Sequence, residues 1–212
     1  MKQSILISIC LLCFACLQAQ PEKSKVKSSK DPWRFGVKAN LSYDNTTLKS
    51  VSDYKLGYKV GMIAEKHLVY NLYFQPSVSF AQKGFEIEIL NNFKRDVDAL
   101  LAEVDLGLLL KFGDERLGRG VFLSIAPYFT YGFGGKTKET VLNPIKEDYN
   151  VEKEIQTFEY CNRSDLGFKL GIGYDFSKHW EVAVNYTFGM NKVVNTDNYK
   201  WKAWNLQLVY FF

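Results

Sequence analysis

Histidine is nearly missing from this chain: its 212 residues hold two, His67 and His179. Hydrolases and acyl transferases generally set such a base beside a nucleophile, so most of that chemistry has no candidate base here. Cysteine is almost as scarce where it could matter. Three of the four (Cys10, Cys13, Cys16) crowd into the first twenty residues, which leaves Cys161 alone. One thiol makes no disulfide framework and no thiol pair for a metal. After residue 20 there is no apolar run of 18, which excludes transmembrane helices. Charge of one sign is also lacking. The formal excess of +4 falls to +3 once Lys2 is discounted, and the basic residues form no stripe, which argues against nucleic acid as a partner.

The first nineteen residues, closing on "LQA", read as a signal peptide. Lys2 is the positive n-region, Ile5 to Leu17 the apolar h-region, and Ala19 the small residue at the cleavage point. An uncleaved anchor and lipoprotein processing at Cys16 are the alternatives. The lipoprotein pattern departs at Cys13, where Leu is expected, and at Phe14, where a small residue is expected. Residues 20–31, with the polar run "KSKVKSSK", read as a flexible periplasmic lead-in, and 32–212 as one domain.

Helical periodicity is weak, and alternation with period two repeats along the whole domain. In "WRFGVKANLSYD", Trp33, Phe35, Val37, Ala39, Leu41 and Tyr43 oppose Arg34, Gly36, Lys38, Asn40, Ser42 and Asp44. Seven further segments behave alike, beginning near Tyr54, Leu72, Ala102, Val121, Asp165, Trp180 and Trp204. The expectation is an all-β, eight-stranded, antiparallel up-and-down barrel.

A soluble barrel also alternates, so the composition of each face must decide which is inside. The polar face is rich in glycine and other small residues and carries charges of both signs: Lys38, Lys59, Glu65, Glu103, Asp105, Lys111, Lys169 and Glu181. A narrow lumen needs small residues for its radius and partners for buried charge. The large apolar face then points to lipid, which makes the barrel transmembrane. Glu103 and Asp105 are expected to pair with Lys38, Lys59, Lys111 or Lys169 as a polar plug. Links after strands two, four and six are short. The others, notably Lys136 to Glu159, are longer and polar, so the short turns and both termini are placed in the periplasm. Trp33, Phe112, Phe176, Trp180, Tyr210 and Phe212 would band one membrane interface, and Tyr43, Tyr54, Tyr131, Phe133, Phe188 and Trp204 the other.

No other chemistry-bearing motif survives inspection. "GFGGKT" (Gly132 to Thr137) resembles the end of a phosphate loop, but Thr130 stands where glycine is needed and no helix follows. Both histidines fall in short periplasmic turns; Asp175 and Ser177 lie near His179, on the wrong side for chemistry at the outer rim. Asp148 and Asn150 could face a calcium ion, but their spacing is not specific. No cofactor, metal or catalytic residue is expected.

The stretches "GYKVGMIAEKHLVYNLYFQPSVSFAQKG", "LLAEVDLGLLLKFG", "SDLGFKLGIGYDF" and "VNYTFGMNKV" resemble the small outer-membrane β-barrel family of Bacteroidetes, often called PorT-like or "porin family". "EVDL" departs from a proline common there, and Gln207 from a glycine. The resemblance implies an integral outer-membrane protein and transfers no functional residue. Eight amphipathic strands without a nucleophile–base set point to a non-enzymatic scaffold or loop-presenting barrel with a side-chain-filled lumen; the resemblance adds a component of a secretion or envelope-assembly machine as an alternative, and a small channel is a further one. The partners expected are outer-membrane lipid and lipopolysaccharide, the Sec export and barrel-insertion machineries, and a secretion-machine protein under the first alternative; the barrel itself is expected to be a monomer. The ending "WNLQLVYFF", with Trp204, Leu206, Leu208, Tyr210 and Phe212 on one face, resembles the signal read at outer-membrane insertion.

Overall fold

Alternating segments of this length can satisfy their backbone only by pairing side to side, and that is how the chain folds. The computed structural model describes residues 32–47, 52–89, 93–114, 118–141, 151–194 and 198–212. The expected signal peptide and lead-in lie outside them, as do Asp148 and Asn150.

The elements are β1 (Arg34–Thr46), β2 (Ser52–Val69), β3 (Leu72–Ile89), β4 (Phe93–Asp114), β5 (Arg119–Gly134), β6 (Lys136–Val141), β7 (Val151–Gln156), a one-turn helix α1 (Thr157–Tyr160), β8 (Ser164–Asp175), β9 (Trp180–Gly189) and β10 (Trp201–Phe211). All pairings are antiparallel. They run β1–β2–β3–β4–β5–β8–β9–β10 and return to β1, from Gly36↔Phe211 to Thr46↔Trp201. A ring leaves no unpaired edge along its staves. No helix among the described residues is long and apolar enough to cross a membrane.

Among the described residues there are ten strands, eight of them in the ring and two beside it. The additional two come from Lys136 to Glu159, which was expected to be loop. Gly135 breaks the direction of β5 with φ +142°, a backbone that side chains rarely adopt. Beyond it β6 pairs with the upper part of β4, Phe93↔Val141 to Val97↔Thr137, and β7 pairs with β6. The sequence "GFGGKT" is this strand-to-strand junction. Strands β2, β3 and β4 also run longer than their alternation suggested, so the expected six-residue link after β2 shrinks to a turn at Tyr70 and Asn71. With β6 and β7, the ends of β3 and β4 form a small sheet that extends the wall at one end of the ring.

Side chains divide by parity as the pleat requires. The apolar row faces outward and is exposed, as at Phe35, Leu56, Phe80, Leu123 and Ile172, with Met62 reaching 75 %. The polar row faces inward and is buried: Lys59 is 1 % exposed, Glu103 and Glu181 0 %. The ordinary arrangement of a soluble domain is inverted.

Candidate functional site

The inside of the ring holds two charge networks. The first occupies its waist. Glu103, on β4, accepts hydrogen bonds from three ammonium groups: Lys59 on β2 (3.1 and 3.3 Å), Lys83 on β3 (2.9 Å) and Lys169 on β8 (2.7 Å). Two residues along the same row, Asp105 accepts from Lys38 (2.6 Å), Ser77 (2.7 Å) and Lys169. Because side chains two apart share a face, these carboxylates stand one above the other, and lysines from four other strands reach them across the lumen. Tyr128 closes the group. Its hydroxyl donates to Asp165 (2.6 Å), and the ammonium groups of Lys83 and Lys169 lie 5.3 and 5.4 Å from its ring centre.

The second network lies toward the short-turn end. Lys111 bridges Glu65 (2.7 Å), Asp175 (2.8 Å) and Glu181 (3.6 Å), and Arg34 binds Glu65 at 2.7 Å. Gln75 donates to Glu65 (3.1 Å) and Glu181 (2.9 Å). Lys111 was expected to partner Glu103 or Asp105. It sits six residues beyond Asp105 on β4, about 20 Å along the strand, and joins this separate group instead. The eight residues singled out from the sequence therefore divide into Lys38, Lys59, Glu103, Asp105 and Lys169 in one cluster and Glu65, Lys111 and Glu181 in the other. Below the second lies a cavity of about 350 Å³ lined by Arg34, Glu65, His67, Tyr73, Lys111, Arg119, Asp175 and Lys178 among others. A cavity of about 40 Å³ lies between the networks, beside Lys38, Gln75, Asp105 and Phe122.

Sequence reasoning missed four participants: Lys83, Tyr128, Arg34 and Asp175. The signal was available. Lys83 continues the inward row Gln75, Ser77, Ser79, Ala81, and Arg34 begins the row that holds Lys38. Arg34 had already been placed on that row, and Lys83 lies one step past the last residue placed on its own, so both share the parity of residues already chosen.

The lumen is also apolar at both ends, which the expectation of a polar face did not include. At the end bearing β6 and β7, Phe85, Ile87, Val97, Cys161, Val193, Val194, Tyr199 and Trp201 form a buried cluster. The chain after β7 folds over this mouth. Thr157 donates to the carbonyl of Asp98 (2.5 Å), Asn162 N–H donates to the carbonyl of Val193 (2.7 Å), and Phe158 packs on Ala81, Ala99 and Leu101. Gly132 faces the Phe158 ring so closely that a Cβ there would overlap it. Burial pushes the Cys161 thiol up to about 12, with the charge of Arg95 opposing. At the other end Ile63, Val209 and Phe211 pack together, and the Arg34 guanidinium lies 4.2 Å from the Phe211 ring centre.

Near this end, the Asp175, Ser177 and His179 grouping is not assembled as a nucleophile and base. Asp175 is held by Lys111, Ser177 Oγ accepts from the backbone N–H of His179 and Trp180, and the His179 ring contacts the carbonyl of Phe211. His67 lies within β2 and not in a turn.

On the outside, aromatic rings gather at two levels. Trp33 meets Phe74, and Tyr210 meets Trp180 and Phe212, at the short-turn end. Tyr43 stacks on Tyr54 (4.5 Å), Tyr186 meets Trp204, and Phe80 meets Phe133 toward the other end. Lysines top both levels, Lys66 over Trp33 and Lys202 over Tyr54. Tyr54 and Lys66 are twelve residues apart on β2. That is about 40 Å along a strand, or about 30 Å along the normal at a tilt of roughly 40°. Trp204, Leu206, Leu208, Tyr210 and Phe212 all lie on this outward surface.

An apolar exterior, a ring closed by hydrogen bonds and an ion-paired interior define the class of outer-membrane β-barrels. The chain belongs to the family described as outer membrane protein beta-barrel domain, which it matches over residues 18–195. Its place is the outer membrane. Among solved structures it is similar to Ail, the attachment invasion locus protein of Yersinia pestis (12 % identity, TM-score 0.47, covering 86 % of this chain and 100 % of that one). It is also similar to Neisserial surface protein A (12 %, 0.44, 86 % and 100 %) and to the N-terminal barrel domain of Pseudomonas aeruginosa OprF (12 %, 0.37, 84 % and 97 %). Comparison with curated proteins returns no match.

Proposed function

We propose that this protein is a non-enzymatic barrel that is shut along its axis and presents its long-loop end, with the β3–β4–β6–β7 sheet, outside the cell. The observation that carries this reading is Glu103, fully buried at the waist and bonded to lysines from three strands. An ion travelling the axis would have to separate those pairs, and separating a buried pair costs about 3–5 kcal/mol. The capping segment around Phe158 adds an apolar stopper above it. Both termini and the short turns lie on the periplasmic side, and the outward row from Trp204 to Phe212 serves as the insertion signal after Sec export. The barrel works as a monomer, its rim in contact with lipid and lipopolysaccharide. Purified protein in a planar bilayer is expected to give no steady current, while running as a heat-modifiable band on a gel; a stable unitary conductance would sink the closed-barrel reading.

The projecting sheet also suits contact with a secretion or envelope-assembly machine, as the resemblance to PorT-like proteins implies. Deleting the gene and comparing exported proteins decides this second role, and an unchanged set counts against it.

A further inference from the structure

The cavity of about 350 Å³ begins where the second charge network ends, and its size is at the small end for ligand pockets, about 300–1,000 Å³. Its wall includes Asn71, Gly118 and Lys178, one from each of the three short turns, and Arg119 and Lys178 are exposed, so it opens at that end. Glu65, Lys111 and Asp175, joined by ion pairs, form its inner end. That inner end is short of donors. Three carboxylates (Glu65, Asp175, Glu181) share two cations, Lys111 and Arg34, which leaves a net charge of −1. Asp175 Oδ2 accepts from Lys111 and Glu181 Oε2 from Gln75. Asp175 Oδ1 and Glu181 Oε1 are buried with no hydrogen-bond partner among the described residues. A buried carboxylate oxygen without a donor is costly, so a further N–H belongs there. A metal ion does not fit the role: among the described residues no three His, Cys, Asp or Glu side chains are arranged to hold one.

We infer that this cavity binds an amino-acid-like zwitterion of one or two residues, its ammonium group on Asp175 and its carboxylate at Arg119 and Lys178. An ammonium supplies the N–H and the positive charge together, in a charge-assisted bond. A bare amine would have to carry its charge past Arg34, Arg119 and Lys178, whereas a zwitterion brings them a carboxylate. Arg119 is oriented at the opening by its Nε, which donates to the Phe176 carbonyl (3.0 Å), and a guanidinium grips a carboxylate with two parallel bonds. His67 and Tyr73, with ring centres 4.9 Å apart, line the cavity and give a small side chain an apolar wall. The site stands whichever way the barrel is oriented.

The test is equilibrium dialysis of the full barrel in detergent against three labelled probes: alanyl-alanine, its N-acetyl form and its C-terminal amide. The free dipeptide should bind about tenfold more tightly than either blocked form, which is about 1.4 kcal/mol for each end. Asp175→Asn should erase the preference over the acetylated probe and keep that over the amide. Arg119→Gln should do the reverse, a pattern that a general loosening of the mouth would not give. Asp175 also holds Lys111, so heat-modifiable migration checks that its variant is folded; if it is not, the wild-type probes and Arg119→Gln decide. Equal binding of the free and acetylated dipeptides, or no binding of the free one, overturns the site. Equal binding of the free dipeptide and its amide overturns the zwitterion as its ligand.

Discussion

Replacing Glu103 by glutamine tests the reasoning most directly, because it removes one charge and almost no volume. Three buried or half-buried ammonium groups depend on that carboxylate. Lys169 keeps Asp105, but Lys59 and Lys83 have no second carboxylate bonded to them among the described residues. Breaking a buried pair from one side costs about 3–5 kcal/mol, since the remaining charge stays desolvated, and two stranded lysines place this substitution at the upper end. With a denaturant slope of about 1–3 kcal/mol per molar urea, the unfolding midpoint in lipid vesicles should fall by about 2–5 M. A companion variant, Glu103→Leu with Lys59→Met and Lys83→Met, removes charge from both sides and should recover most of the loss, because an apolar replacement of a buried network is often neutral. A Glu103→Gln loss below about 1 kcal/mol would refute the argument: the waist would then be wet, and its ion pairs worth little more than surface ones.

Gly132→Leu should drive Phe158 from its seat and loosen the cap, read as faster tryptic cleavage at the exposed Arg163; unchanged cleavage would show that Phe158 does not hold the segment. The Cys161 thiol, raised from 9.0 to about 12 by burial, should resist Ellman's reagent at pH 8 until the barrel is unfolded. Its folded pKa exceeds the unfolded one, so its contribution to stability is intact below about pH 9 and is lost as pH rises toward 12, and Cys161→Ala should remove that part of the alkaline decline. Deleting Phe212, whose N–H donates to the carbonyl of Phe35 at 2.9 Å, should lower the heat-modifiable fraction recovered from outer membranes. Normal recovery would show that the terminal aromatic is dispensable for assembly.

Parity carried most of what could be read in advance. Leu206, Leu208 and Tyr210 face lipid because Asn205, Gln207 and Val209 face in, and a pleated strand allows no other division. The same rule placed Lys59, Glu103 and Lys169 in one interior. Where it stopped being followed, the reading stopped too: Lys83 lies on the correct row just past its last placed residue, and Arg34 was placed on its row without being counted among the luminal charges. Phe85 and Trp201 were missed for another reason. They are large and apolar on the inward parity, and a rule that equates inward with polar passes over them.

What the amino-acid order determined by itself is the set of facing rows, because alternation is a property of neighbours along the chain. The partners on those rows are another matter. That Lys111 meets Glu65 and not Asp105, that Lys83 completes the shell of Glu103, and that Thr157 to Cys161 cover the mouth all depend on stagger between strands far apart in sequence. Gly135 shows the division in one residue. Its freedom to adopt φ +142° is written in the sequence, but pairing with the upper part of β4 turned the following segment into strand. Strand register is a long-range quantity, and only the closed ring sets it.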